Sequence, residues 1–171
     1  MNSITKLTLS LLLLFSFSTL YAEPTPDDHP AAIESRATTS YDLYKNPNCG
    51  CCVKWQQHLA DQGFVATVHQ PGNLNEIKLK LGIDAQHQSC HTAVFENGFV
   101  FEGHVPVTYI NKFIENPPAN ALGLAVPGMP MGSPGMEVSN QFQAYDILLL
   151  KKDGSTEVYA SISDSAQQYV D

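Results

Sequence analysis

The stretch that decides the fold reads YDLYKNPNCGCCVKW and occupies residues 41–55. Its first four residues form a short strand candidate, and Asn46-Pro47-Asn48 is turn chemistry that can lead into a helix. Three cysteines therefore fall at the junction between a strand and a helix.

Downstream of this junction the chain alternates between strand and helix patterns. Cys52, Trp55 and Leu59 share one face of the first helix, and Gly63 is suited to end it. The elements that follow, in chain order, are a strand at 64–69, a helix over 74–82, two apolar runs at 92–95 and 99–105, and a helix that Pro106 begins and Pro117-Pro118 ends.

The two apolar runs flank Asn97-Gly98, which is the strongest short-range signal for a β-hairpin. If these two residues form the turn, Glu96 pairs with Phe99, and counting outward places His91 opposite His104. The runs should then be antiparallel neighbours.

The order strand, helix, strand, helix, hairpin, helix is that of the minimal thioredoxin-like fold, βαβαββα. A Pro, Gly and Met-rich loop follows at 117–140, and a loop of this length is usually functional or disordered. Two further runs at 144–150 and 156–160 flank Asp153-Gly154 and predict an added C-terminal β-hairpin. We expect one α/β domain over residues 40–171 that includes the loop.

The N-terminus has the three parts of a secretory signal peptide. A start that carries Lys6 precedes an apolar run at 7–20, and Ala22 is the expected last residue removed. The run is too short for a comfortable transmembrane anchor, so we expect no stable membrane insertion after cleavage. Residues 1–22 are predicted to be a signal peptide and residues 23–39 a flexible leader, which places the mature protein in the periplasm.

The chain is acidic, with a formal net charge of -8 at pH 7. Removal of the signal peptide takes away one lysine and no acid, so the charge moves from -8 to -9. Phosphate binding needs clustered Lys and Arg, so this balance argues against a nucleic-acid partner. In an oxidising compartment, four thiols end up as disulfides or are protected by a metal.

Cys49, Cys51 and Cys52 lie beside the N-terminus of the first predicted helix. Backbone N–H groups and the positive helix end lower thiol pKa values and favour thiolate, the form that binds soft metals. Cys90 begins the third strand, whose start lies against the redox loop in thioredoxin-like folds. It can therefore complete a four-sulfur site from across the groove.

These four sulfurs admit several chemistries. Cys49 and Cys52 form a Cys-x-x-Cys redox pair, but that pairing gives no role to Cys51 and Cys90. Zinc prefers two separated chelating pairs, and the spacing matches no usual iron–sulfur run. Cu(I) tolerates two or three thiolates and lets sulfur bridge neighbouring ions, so it suits Cys-x-Cys-Cys better. Soft-metal binding, a redox disulfide and purely structural disulfides all remain open on the residues alone.

Two histidines are candidate ligands beside the cysteines. Side chains alternate along a strand, so His91 should point away from Cys90 unless the strand starts later or is bulged. His91 and His104 would then form a separate metal site or share one through irregular backbone. His58 lies about 10 Å along the helix from Cys51, too far to share an ion, and is predicted to be a surface residue.

Met129, Met131 and Met136 are the only methionines of the mature chain, and all lie in the Pro/Gly-rich loop. Thioether sulfur is a ligand for Cu(I) and Ag(I) that survives oxidising surroundings better than thiolate. The alternative is that the methionines pack as flexible hydrophobes and seal the loop onto the domain. The sequence leaves both roles open.

Four motifs occur in order along the chain, at 44–52 together with Trp55 and 58–59, at 89–93, at 102–106, and in the methionine loop at 123–137. With these motifs the sequence resembles the family of CopG-like periplasmic copper-resistance proteins. The resemblance covers residues 40–150, most of the mature chain.

The resemblance implies a thioredoxin-like fold, copper bound through all four cysteines, and a role in surviving excess copper. It also suggests redox activity toward copper, cycling Cu(I) and Cu(II), which would make the protein a copper oxidoreductase. Our leading hypothesis is a periplasmic copper-binding protein with a Cu(I) thiolate site that holds several ions. In it, His91, His104 and the methionines are auxiliary ligands or line an access route.

Two alternatives belong to other functional classes. A thiol–disulfide oxidoreductase would use Cys49 to attack substrate disulfides and Cys52 to resolve the mixed disulfide. A non-catalytic chaperone would pass copper to a membrane exporter or to another periplasmic copper protein. Metal content after expression separates copper binding from thiol–disulfide exchange.

Overall fold

The computed structural model describes residues 39–169. The predicted signal peptide at 1–22 and all of the predicted leader except Thr39 lie outside these residues. Within the described part of the chain, no helix is both long enough and apolar enough to cross a membrane.

Residues 39–169 form a mixed α/β structure, which confirms the predicted fold class and the predicted βαβαββα order. The strands are β1 (Ser40–Lys45), β2 (Val65–His69), β3 (His91–Phe95), β4 (Val100–Glu102), β5 (Ala121–Ala125), β6 (Tyr145–Lys151) and β7 (Thr156–Ile162). The helices are α1 (Gly50–Ala60), α2 (Leu74–Lys80) and α3 (Val107–Glu115), and two short 3-10 helices occupy Ala85–His87 and Ser165–Gln168.

The seven strands form one sheet in the order β2-β1-β3-β4-β5-β6-β7. β1 pairs parallel with β2 and antiparallel with β3, and β3 pairs antiparallel with β4. This arrangement confirms the parallel pairing expected for the first βαβ unit and the antiparallel pairing expected for the hairpin. β6 and β7 form the predicted C-terminal hairpin at one edge.

One prediction about the methionine loop is wrong, because a strand lies inside residues 117–140. β5 pairs parallel with β4 and antiparallel with β6, and so joins the C-terminal hairpin to the rest of the sheet. Its sequence, ALGLA, is a weak strand former, but Gly123 lets the backbone of β4 approach closely. A Cβ at Gly123 would lie 1.7 Å from the carbonyl oxygen of Val100, so a side chain could not be accommodated there.

The predicted register of the β3–β4 hairpin is also wrong. Phe95 N–H donates to the carbonyl of Phe99 at 2.9 Å, so the turn contains three residues, 96–98, instead of two. Thr92 consequently pairs with Glu102. His91 is opposite Gly103, whose N–H donates to the His91 carbonyl at 2.9 Å, and not opposite His104.

Two apolar cores lie on opposite faces of the sheet, as the alternation of side chains in β4 shows. Phe101 belongs to the larger core, which α1 and α3 cover, whereas Val100 belongs to a smaller core that Leu81 and Ile83, just after α2, help to form. Trp55 of α1 is fully buried in the larger core, where its Nε1 donates to the carbonyl of Val105 at 2.9 Å. This packing fixes the N-terminus of α1 beside the starts of β3 and α3.

Candidate metal centre

The turn between β1 and α1 places three cysteines at the start of the helix. Cys49 is the N-cap residue, and its Sγ accepts the N–H of Cys52 at 3.3 Å. Cys49 N–H in turn donates to the carbonyl of Asn46 at 3.1 Å, which closes the turn predicted from Asn46-Pro47-Asn48. The sulfur at the helix cap therefore replaces the oxygen that usually accepts a first-turn N–H.

Cys49 and Cys52 are joined by a disulfide, with their Cα atoms 5.3 Å apart. Cys52 is fully buried, whereas Cys49 is half-buried. Cys51 and Cys90 are free thiols, and Cys51 Sγ lies 3.4 Å from Cys49 Sγ. The pairing seen here is the Cys-x-x-Cys pair of the sequence analysis.

Cys90 approaches the other cysteines from across the groove. It immediately precedes β3, and its Sγ is 3.9 Å from that of Cys51. All four cysteine sulfur atoms lie within 4.8 Å of one another, a separation that one ion or a small cluster could bridge once the disulfide is reduced.

Cys90 also contacts both histidines. Its Sγ is 3.2 Å from His91 Nδ1 and 3.1 Å from His104 Nε2, and these three ligand atoms form a second compact group. The two histidine rings are perpendicular, with centroids 5.0 Å apart. The structure thus places both histidines beside Cys90, and whether they share a metal ion with the cysteines remains a prediction.

Irregular backbone brings His91 to the same side as Cys90. β3 begins at His91, so the alternation of side chains along a strand does not extend back to Cys90. β4 ends at Glu102, and the chain leaves the regular ladder at Gly103 before it reaches His104. Of the two exceptions named above, the late strand start applies, and β3 pairs with β1 and β4 without a bulge.

Burial sets the protonation state of the three contacting groups. It lowers the pKa of His91 well below its ordinary value, and nearby His104 and Lys78 add to that effect. Burial also lowers the pKa of His104. The same cause, reinforced by Cys51, raises the pKa of the Cys90 thiol to about 12. The imidazoles are therefore neutral, which is their ligand form, and a metal that binds Cys90 must displace its proton.

A second hydrogen bond fixes the orientation of His104. Its Nδ1 donates to the carbonyl of Pro134 at 2.8 Å, which leaves the Nε2 lone pair directed at Cys90. Metal-binding histidines are commonly held in this way, with the outer ring nitrogen donating to a carbonyl. The donor set of thiols and oriented, neutral imidazoles suits a soft or borderline metal ion.

Two solved structures of the protein described as "Copper resistance protein copG" are similar to this chain. Form 2 is 40% identical, with a TM-score of 0.69, and the match covers 73% of this chain and 98% of that chain. Form 1 is 39% identical, with a TM-score of 0.69 and coverage of 74% and 99%. The chain belongs to the CopG family of copper resistance proteins.

The family described as "Protein of unknown function, DUF411" also matches, over residues 87–136. In this CopG-family chain the matched segment includes Cys90, both histidines and the three methionines. A search of curated proteins finds no match.

The methionine loop of this CopG-family protein is attached at three points around the centre. Ser89 Oγ donates to the carbonyl of Gly128, and Pro134 accepts the hydrogen bond from His104. Gly135 packs against the first turn of α1, where a Cβ would lie 2.7 Å from the Cys51 carbonyl oxygen. Residues 128–135, which these contacts span, are therefore held against both the cysteines and His104.

The methionines have different environments within this loop. Met129 and Met131 are 54% and 38% exposed, whereas Met136, next to Gly135, is half-buried. Met136 is thus the most enclosed of the three, and the structure leaves open whether the methionines seal the loop onto the domain or bind metal. Their role as ligands remains a prediction.

A buried charged pair that the sequence did not predict is hydrogen-bonded to Ser89, the residue before Cys90. Lys78 of α2 and Glu102 of β4 are both 0% exposed and form an ion pair. Burial raises the pKa of Glu102, while Lys78, Thr92 and the Ser89 N–H oppose that rise. Lys78 lies on the apolar face of α2 and Glu102 interrupts the apolar run of β4, but neither position by itself indicates that the two side chains pair.

The prediction that His58 is a surface residue is wrong. The side chain is half-buried, and Nε2 accepts the N–H of Val107, the first residue of α3, at 3.1 Å. Pro106, the N-cap of α3, makes no side-chain capping hydrogen bond, so α1 supplies the acceptor instead. His58 is therefore a structural residue that connects the two helices of the larger core.

Proposed function

We propose that this protein binds copper as Cu(I) through the thiolates of the cysteine cluster, and that it acts in copper resistance in the periplasm. The observation that carries the proposal is the convergence of four cysteine sulfur atoms within 4.8 Å, in a chain of the CopG family. Thiolates are soft ligands, and Cu(I) is the soft ion that fits them best.

The site holds more than one copper ion. Cys90 belongs to both compact donor groups, the four cysteines and the Cys90–His91–His104 set. A thiolate can bridge two ions, so the shared sulfur joins the groups into one centre. The two groups together supply six ligand atoms, which exceeds the two or three that one Cu(I) ion needs.

The mixed donor set supports redox activity, in which bound copper changes between Cu(I) and Cu(II) by passing one electron to, or taking one from, an external one-electron redox partner, so that the protein acts as a copper oxidoreductase. Thiolates favour Cu(I), whereas imidazoles accept Cu(II). His91 and His104 lie within 3.2 Å of Cys90 Sγ, so an ion that changes oxidation state finds suitable ligands without leaving the centre.

The methionines line an access route to the centre. Met129 and Met131 expose their side chains on the loop that Ser89 holds beside Cys90. Thioethers bind Cu(I) weakly enough to release it to thiolates, so they can receive the ion at the surface. The donor or acceptor of that ion would be a copper exporter or another periplasmic copper protein.

The structure also contains a feature that favours a second function, thiol–disulfide exchange. The Cys49–Cys52 disulfide has a half-buried sulfur at Cys49 and a fully buried one at Cys52, as an attacking and resolving pair would. While this disulfide is closed, its two sulfurs are not thiolates, so copper binding at all four cysteines requires prior reduction.

Titration of the reduced protein with Cu(I) under a competing chelator tests the main proposal. We expect more than one equivalent to bind tightly, and Cys90→Ser should lower the affinity while circular dichroism shows an unchanged fold. Saturation by one ion contradicts the multinuclear site. Preferential binding of Zn(II), or reduction of substrate disulfides by metal-free protein as the dominant activity, contradicts copper binding as the function.

Voltammetry with parallel electron paramagnetic resonance tests the redox proposal. The copper-loaded protein should oxidise and re-reduce reversibly, and the double variant His91→Ala, His104→Ala should shift the potential or lose Cu(II). Release of copper on first oxidation, or normal cycling by the double variant, would leave only storage or transfer of Cu(I).

A further inference from the structure

A fully buried polar network lies behind the segment that carries Cys90. Lys78 Nζ donates to Glu102 and also to Thr92 Oγ1 at 3.0 Å. Glu102 accepts two further hydrogen bonds, from the Ser89 backbone N–H at 2.6 Å and from the Thr92 hydroxyl at 2.5 Å. The network thus connects α2, β3 and β4 to the residue that precedes Cys90.

Stability does not account for this network. Removing two charges from water costs several kcal/mol per ion, and apolar residues of similar volume are often equally stable or more stable. Leu81, the C-cap residue of α2, already packs against the smaller core, so an apolar residue at position 78, about one helical turn earlier, would extend the same surface. The contacts that the two charges make therefore point to a role other than stability.

The groups that the network holds flank the metal ligands on both sides. Ser89 and Thr92 bracket Cys90 and His91, and Glu102 lies two residues before His104. Cys90 itself lies outside the β3 ladder, so regular strand pairing does not fix its backbone. Two hydrogen bonds of Ser89 restrain this backbone instead. The Ser89 N–H donates to Glu102, and the Ser89 hydroxyl donates to the Gly128 carbonyl of the methionine loop.

We propose that Lys78, Glu102 and Thr92 are positioning residues that hold Cys90 and His91 in the geometry of the metal centre. The inference rests on the proposed copper-binding function, because it assigns a purpose to the geometry of that site. A metal site needs its ligands held by surrounding hydrogen bonds, since loosely held ligands lose affinity.

A double variant separates positioning from stability. Lys78→Met with Glu102→Leu removes both charges together and leaves no single buried charge behind. We expect it to fold, and we expect its Cu(I) affinity to fall by about 10-fold to 100-fold, the range found when groups that orient metal ligands are removed. Ile162→Val, a mild core change in β7 far along the sheet, is the control and should keep wild-type affinity.

A milder pair of variants tests the same network if the double variant does not fold. Thr92→Val keeps the shape of the side chain but removes the hydroxyl that accepts a hydrogen bond from Lys78 and donates one to Glu102. Its affinity should fall, and Thr92→Ser, which keeps the hydroxyl, should recover most of the loss. Equal affinity for Thr92→Val and wild type would overturn the inference.

A metal-free measurement distinguishes failure of the inference from failure of the proposed function. In the protein with the Cys49–Cys52 disulfide closed, Cys51 and Cys90 are the free thiols of the described chain. The rate of alkylation of Cys90 relative to Cys51, mapped by mass spectrometry, should rise several-fold in Lys78→Met with Glu102→Leu and in Thr92→Val, but not in Ile162→Val. An unchanged ratio overturns the positioning role, whereas a wild-type protein that binds no Cu(I) overturns the proposed function alone.

Discussion

The hydrogen bond from Val107 to His58 connects α3 to α1 and depends on pH. The histidine accepts the first N–H of α3 through Nε2, a role open only to the neutral ring. Burial lowers the pKa of His58, and the charges of Glu137 and Asp61 only partly oppose it. The folded protein therefore resists protonation of this ring more than the unfolded chain does.

The sign of the pH dependence follows from that lowered pKa. We expect the stabilising contribution of His58 to be complete above the ordinary histidine pKa of about 6.5 and to be lost as the pH falls below it. His58→Gln keeps an acceptor that does not titrate. Urea unfolding between about pH 8 and pH 5 should therefore show a smaller loss of stability for His58→Gln than for wild type. His91 and His104 titrate in both proteins, so parallel profiles would contradict the capping role.

At this scale the candidate ligand residues could be predicted, whereas the residues that support them could not. Thiols and imidazoles are rare enough, and specific enough in chemistry, that Cys90 and His104 could be named from residue type and spacing. Lys78 could not, because a lysine in a helix is normally solvated, and only its distant partner Glu102 makes burial tolerable. The pair becomes visible when α2 and β4 are brought together by the fold.

Among the structural elements, the methionine loop packs its backbone closely against α1. Gly135 has a φ of +89°, and a Cβ there would lie 2.7 Å from the Cys51 carbonyl oxygen and 2.8 Å from Trp55 N. Gly154, in the β6–β7 turn, has a similar φ of +84° but open space around its Cβ position. The two glycines thus have nearly the same φ, but only at Gly135 do neighbouring atoms leave no room for a Cβ.

Alanine at the two positions should separate these effects. Both variants should lose about 1–2 kcal/mol in unfolding free energy from the left-handed backbone. Gly135→Ala should lose about 1–3 kcal/mol more, since the loop must move away from α1. Its Cu(I) affinity should also fall, because the loop carries the Pro134 carbonyl that orients His104. If chemical denaturation gave equal losses of unfolding free energy for the two variants, the loop would not be tightly packed against α1.

The order of elements was predictable because each one carries its own apolar period and its own stop signal. β5 and the hairpin register were not, since both depend on contacts between elements. ALGLA becomes a strand only between β4 and β6, and the Asn97-Gly98 signal fits a three-residue turn as well as a two-residue one. The one-residue change in register moved His91 away from the predicted partner position, yet the irregular ends of the strands still bring the rings together.

Across the whole molecule, one sheet and one principal core connect the first and last described strands. The larger core includes Leu43 of β1, Trp55 of α1 and Ile162 of β7. β5 joins the C-terminal hairpin to β4 through parallel pairing, so the hairpin is part of the sheet and not an appendage.

We therefore expect residues 39–169 to unfold in a single cooperative transition. In calorimetry the van't Hoff enthalpy should equal the measured enthalpy, as for a two-state domain of this size. Reduced and oxidised protein should both be measured, so that rearrangement of the Cys49–Cys52 disulfide does not distort the comparison. Two resolved transitions, one of them removed by deleting the β6–β7 hairpin, would show that the sheet consists of two independent parts.

Trp55 packs against His91, with ring centroids 4.4 Å apart, and it is the only tryptophan in the chain. All tryptophan emission therefore comes from one fully buried indole in contact with a candidate ligand. Copper bound at His91 should quench that emission, and unfolding should shift it to longer wavelength. The protein thus carries an intrinsic optical probe that reports occupancy of the centre and integrity of the core separately, without any label.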